Sequence, residues 1–168
     1  TLFVKEDVYP IVATQAPPEV MVRAIKDYCD VLAEPFDALA VGPGVGFESQ
    51  DEVLDVIRRA QVPVVVDADA LTMLSRTEVR PALPSSVPRL LTPHPGEMSR
   101  LIGNDTATIQ RDRLAAVRKA AAAYDAVVVL KGARTVVAAP DGLEGGVPRA
   151  VEAPAEQAAP PHTGGKGF

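Results

Sequence analysis

The chain has a single cysteine, two histidines and no long apolar run. Cys29 cannot form an internal disulfide, and an unpaired thiol fits a reducing compartment. No stretch approaches the roughly 18 apolar residues of a membrane span. No secretory signal precedes the first strand-like residues, so a cytoplasmic location is expected. Positive charge is scarce: the net charge is −5 and no basic block occurs. That argues against nucleic acid or an anionic membrane as the main partner. Also lacking are an internal repeat, a Walker A loop, a Rossmann fingerprint and a Ser/His/Asp arrangement. Cys29 falls in an expected helix over residues 25–32, so nucleophilic catalysis has no support.

What is present suits one soluble domain with a proper core: 168 residues, 47% apolar and 23% charged. Short apolar runs bounded by turn residues alternate with amphipathic segments. The runs at residues 2–4, 38–41, 62–66, 89–92 and 126–130 read as buried strands. A helix starting at Asp7 and a capping box over Ser49–Glu52 are expected, as is one long helix over 108–123. An extended segment at 135–139 leads into Pro140-Asp141-Gly142, a hairpin turn signal. This cadence predicts an α/β fold, a mostly parallel sheet with helices on both faces. Residues 1–143 form the expected core. Residues 144–168 divide into an Ala/Pro-rich loop and a Gly-rich tail.

Four polar corners follow four of these strands, and in a parallel sheet all four face one edge, where α/β folds bind ligands. Gly42-Pro43-Gly44-Val45-Gly46 either cradles an anion with its N–H groups or is simply a tight turn. Asp67 and Asp69 could orient a hydroxyl, a lysine or a Mg²⁺ shell; alternatively Asp69 caps the following helix and Asp67 bonds a neighbouring loop. In Thr92-Pro93-His94-Pro95-Gly96-Glu97, prolines stiffen a corner that displays one of the two histidines. A neutral His94 could hydrogen-bond a substrate amide or hydroxyl. A His-x-x-Glu metal pair is disfavoured, because Pro95 and Gly96 should keep the two side chains off one helical face and no third ligand is apparent. Lys131 begins Lys-Gly-Ala-Arg-Thr and either meets a phosphate or opens a surface hairpin.

The order GPGVG, PVVVDADAL, LLTPHPGEMSRL, VVVLKGARTVVAAPDG resembles the NAD(P)H-hydrate dehydratase family over roughly Ala38 to Gly142. The resemblance implies a ribokinase-like three-layer α/β/α fold, here incomplete at both ends. It implies ADP- or ATP-dependent dehydration, with Mg²⁺, of the hydrated forms of NADH and NADPH by a hydro-lyase, usually a homo-oligomer. Gly44, Gly46 and His94 would contact the hydrated dinucleotide, with Glu97 and Arg100 beside them. Lys131, Gly132, Ala133, Arg134 and Thr135 would bind the adenine nucleotide, with Gly167 in an anion-binding segment. No resident metal site is implied. The family's late GGxGD segment departs here: Phe168 stands where its aspartate contacts the reacting hydroxyl, and a phenyl ring cannot accept a proton. The alternatives are a ribokinase-like kinase of a vitamin-precursor alcohol and a non-catalytic nucleotide-binding paralogue.

Overall fold

The computed structural model describes residues 1–76, 87–140 and 151–152. Strand β1 (Leu2–Lys5), helix α1 (Tyr9–Gln15) and strand β2 (Val22–Ile25) form a small unit whose strands pair in parallel. A 3-10 helix (Tyr28–Ala33) follows. The main sheet then begins with β3 (Leu39–Val41), α2 (Gln50–Arg59), β4 (Val64–Val66), α3 (Ala68–Arg76), β5 (Arg89–Leu91) and α4 (Pro95–Ile102). It continues through α5 (Thr106–Arg111), α6 (Arg113–Tyr124), β6 (Val127–Leu130), β7 (Val136–Ala138) and β8 (Val151–Glu152).

The six main strands lie in sequence order, β3-β4-β5-β6 parallel and β7 and β8 antiparallel. Alternation along the strands sets the core. Val41, Val64, Val66, Leu91, Val128, Leu130, Val136 and Ala138 point to one buried face and pack there with the apolar faces of α2, α3, α4 and α6. Val65, Leu90, Val127, Val129 and Val137 lie on the alternate face and are only half-buried. Helices on both faces were expected; those that share the main core lie over the one dry face. Strands taken in order, with connections of one hand, lay successive helices on the same side.

Several local expectations are corrected. β1 is a strand but is not buried, because it pairs with β2 outside the main sheet and leaves Leu2 exposed. α1 starts at Tyr9, and Asp7 accepts only from the N–H of Val8. Residues 25–32 give the end of β2 and the 3-10 helix, capped by Asp27, instead of an α-helix. Ser49 makes no side-chain cap, and Glu52 does not supply the reciprocal half of the box: its Oε2 accepts instead from Lys5 Nζ at 2.5 Å and from the Tyr28 N–H at 2.8 Å. The long helix over 108–123 is two helices, split at Asp112, whose carboxylate accepts from the Ala115 N–H. Within the stretch read as an irregular loop, Val151–Glu152 adds a strand to β7. The Asp141-Gly142 turn and residues 153–168 lie outside the described residues.

Arg89, the largest fully buried side chain among the described residues, braces the start of β5 against the end of α2. Its Nε donates to the Ile57 carbonyl and its Nη2 to the Ala60 carbonyl, both at 2.7 Å. Nη1 adds the Val87 carbonyl at 3.0 Å. A cation at the carboxyl end of α2 satisfies carbonyls the helix leaves over and complements its dipole. No helix among the described residues is long and apolar enough to cross a membrane.

Candidate functional site

β3, β4, β5 and β6 run parallel, so the corners that follow them open on one edge of the sheet. Each is held by backbone that continues the ladder: Asp67 N–H to Val41 O, Thr92 N–H to Val66 O, and Lys131 N–H to Pro93 O.

The glycine corner depends on Gly42. Its φ is +129°, and a Cβ there would stand 1.8 Å from the Asp67 carbonyl oxygen. Only glycine lets the first corner pack against the second this closely. Gly44 and Gly46 also have positive φ, at +70° and +66°, but face open space. The N–H of Gly46 donates to Asp69 Oδ2 at 3.1 Å. Asp69 lies inside the first turn of α3 and so fastens the glycine loop instead of capping the helix.

Asp67 faces the other way. Its Oδ1 accepts from Lys131 Nζ at 2.7 Å, joining the second corner to the fourth. Burial works to raise the Asp67 pKa. Hydrogen bonds from Lys131, the Ala68 N–H and the Thr92 hydroxyl outweigh that and hold the carboxyl below its ordinary value. Between the two aspartates Ala68 has a left-handed φ of +49°. This unfavourable conformation for a residue with a Cβ sends the two carboxylates to different corners.

At the third corner His94 is the N-cap of α4, with Pro95 at the first helical position. Its Nδ1 accepts from the N–H groups of Gly96 at 2.9 Å and Glu97 at 3.3 Å. Glu97 returns the bond, its Oε2 accepting from the His94 N–H at 2.8 Å. This is a capping box with histidine in place of serine or threonine. With Nδ1 used as an acceptor, the ring proton of the neutral imidazole is on Nε2. The His94 side chain as a whole is 52% exposed. The reasoning against a shared His–Glu face is corrected: Pro95 and Gly96 are helical, and Nε2 lies 3.5 Å from Glu97 Oε1. Glu97 is buried, and Lys131 Nζ lies 4.0 Å from its Oε2.

The fourth corner holds Lys131 to Thr135. Thr135 Oγ1 donates back to the Gly132 carbonyl at 3.2 Å, closing the turn, and Gly132, Ala133 and Arg134 are exposed. Arg100 is exposed near the end of α4 and is not drawn into this network. Gly167 and Phe168 lie outside the described residues. Among the described residues no group of three or more His, Cys, Asp or Glu side chains could hold a metal ion. Gly42 was legible as the first residue of the glycine corner but not as the residue that lets it pack on Asp67, and nothing in the sequence singles out Arg113.

The chain as a whole is similar to known proteins in sequence and in fold. A family model described as NAD(P)H-hydrate dehydratase matches residues 4–165. The bifunctional NAD(P)H-hydrate repair enzyme of Moorella thermoacetica is 46% identical over 137 residues, which are 78% of this chain and 26% of that one. The ADP-dependent (S)-NAD(P)H-hydrate dehydratase of Neisseria meningitidis is 39% identical over 142 residues, 81% of this chain and 47% of its own. An ADP/ATP-dependent NAD(P)H-hydrate dehydratase of Bacillus subtilis, crystallised with ATP and Mg²⁺ and soaked with CoA, superposes with a TM-score of 0.64 at 34% identity. That match covers 82% of this chain and 50% of the other. The chain thus spans about half the length, or less, of these relatives. With a ribokinase-like sheet, four converging corners and a family match across nearly its whole length, the chain belongs to the NAD(P)H-hydrate dehydratase family.

Proposed function

We propose that this chain carries the two-ligand cleft of an ADP-dependent hydro-lyase that returns hydrated NADH and NADPH to NADH and NADPH. The observation that supports it best is the side-chain stitching of the four corners. Lys131 reaches Asp67 from one side of the edge, and Asp69 holds Gly46 on the other.

The substrate side comprises Gly44, Gly46 and His94. Open glycines let a dinucleotide approach the backbone. The His94 Nε2–H donates to an amide or hydroxyl of the hydrated nicotinamide, and Glu97 fixes the imidazole's position through the cap. Arg100 extends this wall outward. The nucleotide side comprises Lys131 to Thr135, together with Gly167. Mg²⁺ bound to the nucleotide phosphates would neutralise charge there. The terminal phosphoryl group of ADP passes to the hydrate's hydroxyl, leaving AMP. Loss of phosphate and a neighbouring proton then restores the ring double bond. The protein acts in the cytoplasm, as a homo-oligomer.

Binding and turnover test this together. Hydrated NADH should bind in the presence of ADP and Mg²⁺, and His94→Ala should weaken that binding about tenfold, the worth of one buried hydrogen bond to a ligand. Conversion to NADH should be slow with Phe168 in place and faster in Phe168→Asp. Phosphorylation of a vitamin-precursor alcohol without binding of the hydrate would assign a small-molecule kinase instead. ADP binding alone would leave a nucleotide-binding module.

A further inference from the structure

Arg113 is out of place by the ordinary rules of helix design. It is the first residue of α6, where the macrodipole is positive and a cation is disfavoured. It is also not paired to a carboxylate among the described residues. Its guanidinium instead reaches out of the helix into the fourth corner. Nη2 donates to the Leu130 carbonyl at 2.9 Å and the Lys131 carbonyl at 3.2 Å. Nε donates to the Arg134 carbonyl at 3.1 Å, and Nη1 to Gln110 Oε1 at 2.9 Å. The fork therefore holds both arms of the loop at once, before and after Gly132.

Gly132 packs closely against this group. Its φ is +153°, and a Cβ there would come within 3.0 Å of Arg113 Nη2. The break at Asp112 between α5 and α6 is what starts the second helix at Arg113. One continuous helix would turn this side chain elsewhere. Lysine could not replace it, because a single ammonium has no planar fork to span two carbonyl sets.

We infer that Arg113 is a positioning residue for the adenine nucleotide: it holds the carbonyls of Leu130, Lys131 and Arg134 so that the loop's N–H groups are left to face the ligand. This rests on the reading of residues 131–135 as the nucleotide-binding corner. A carbonyl turned toward the ligand would repel phosphate, so consuming these carbonyls elsewhere is what makes the corner receptive to an anion. Arg113 acts through the loop and touches neither ligand.

The test uses the full chain and two readouts, on wild type, Arg113→Lys and Arg113→Ala. Amide hydrogen exchange at the root of the loop, read at Lys131 whose N–H is bonded to the Pro93 carbonyl, should accelerate about tenfold in both variants while the β5 and β6 amides stay protected. The Kd for ADP with Mg²⁺ should rise about tenfold, and the Kd for hydrated NADH should move less than about twofold. Lysine should rescue neither readout. Unchanged loop exchange in Arg113→Ala overturns the inference. So does faster exchange with an unchanged Kd for ADP in a wild type that binds it. A wild type that binds no ADP, with loop exchange still accelerated in the variants, would defeat the nucleotide reading and leave Arg113 as the loop's anchor alone. Loss of protection throughout β5 and β6 would also overturn it, since the residue would then serve the fold as a whole.

Discussion

At the end of β4, Asp67 is both a charge partner and a wall. Its carboxylate is bound by Lys131, and its carbonyl oxygen fills the space where a side chain at Gly42 would go. The depressed pKa has a definite sign. A carboxyl whose native pKa lies below its unfolded value near 3.9 adds stability that is fully present above that value. That contribution shrinks as pH falls toward the native pKa. Asp67→Asn should therefore flatten the acid limb of a urea-unfolding series below about pH 4, relative to wild type. A parallel limb would mean that the Lys131 contact contributes nothing in solution. Gly42→Ala should be far worse, by about 3 kcal/mol or more, because backbone and not a movable side chain blocks the new methyl. Chemical denaturation measures it directly. His94 has two roles that substitutions can separate. Asparagine keeps an N-cap acceptor for α4, so His94→Asn should hold stability within about 0.5 kcal/mol while still losing the Nε2–H offered to the ligand. A loss of stability as large as that of His94→Ala would show that the cap needs the imidazole itself.

Helices and strands were legible where apolar periodicity decides them. Val64 to Val66, Arg89 to Leu91 and Val127 to Leu130 announced themselves as short apolar runs, and their ends gave the corners. Less legible was anything decided by a partner far along the chain. Ser49-x-x-Glu52 satisfied the capping-box pattern, yet Lys5 of β1 and Tyr28 of the 3-10 helix claim the glutamate. The pattern His94-x-x-Glu97 caps α4 instead, with a residue that is not on the usual list of caps. Arg89 read as an unremarkable strand residue and is the buried brace between α2 and the sheet. Removing it orphans the carbonyls of Ile57 and Ala60 at a cost of about 1–3 kcal/mol each. Arg89→Met, which keeps most of the volume, should lower the melting temperature by roughly 10 °C, as scanning calorimetry would show. A change below about 2 °C would mean that water replaces the guanidinium.

On the scale of the molecule, the ordered sheet explains why motifs spread from Gly42 to Thr135 act together. Four parallel strands put their ends side by side, and each corner then needs only a short reach to the next. The motif order was enough to anticipate the family, since it encodes strand order and therefore which corners are neighbours. Asp67 was legible as a carboxylate able to orient a lysine, whereas Asp69 and Arg113 exchange their ordinary capping or surface roles for contacts made only in the assembled fold. The central claim is that these corners bind two ligands at once. Its most direct measurement is a titration of hydrated NADPH into the chain at saturating ADP and Mg²⁺, repeated with His94→Asn. Saturable binding that weakens about tenfold in the variant, with stability retained, is the predicted result. Equal binding by the two proteins, or none by either, would contradict it.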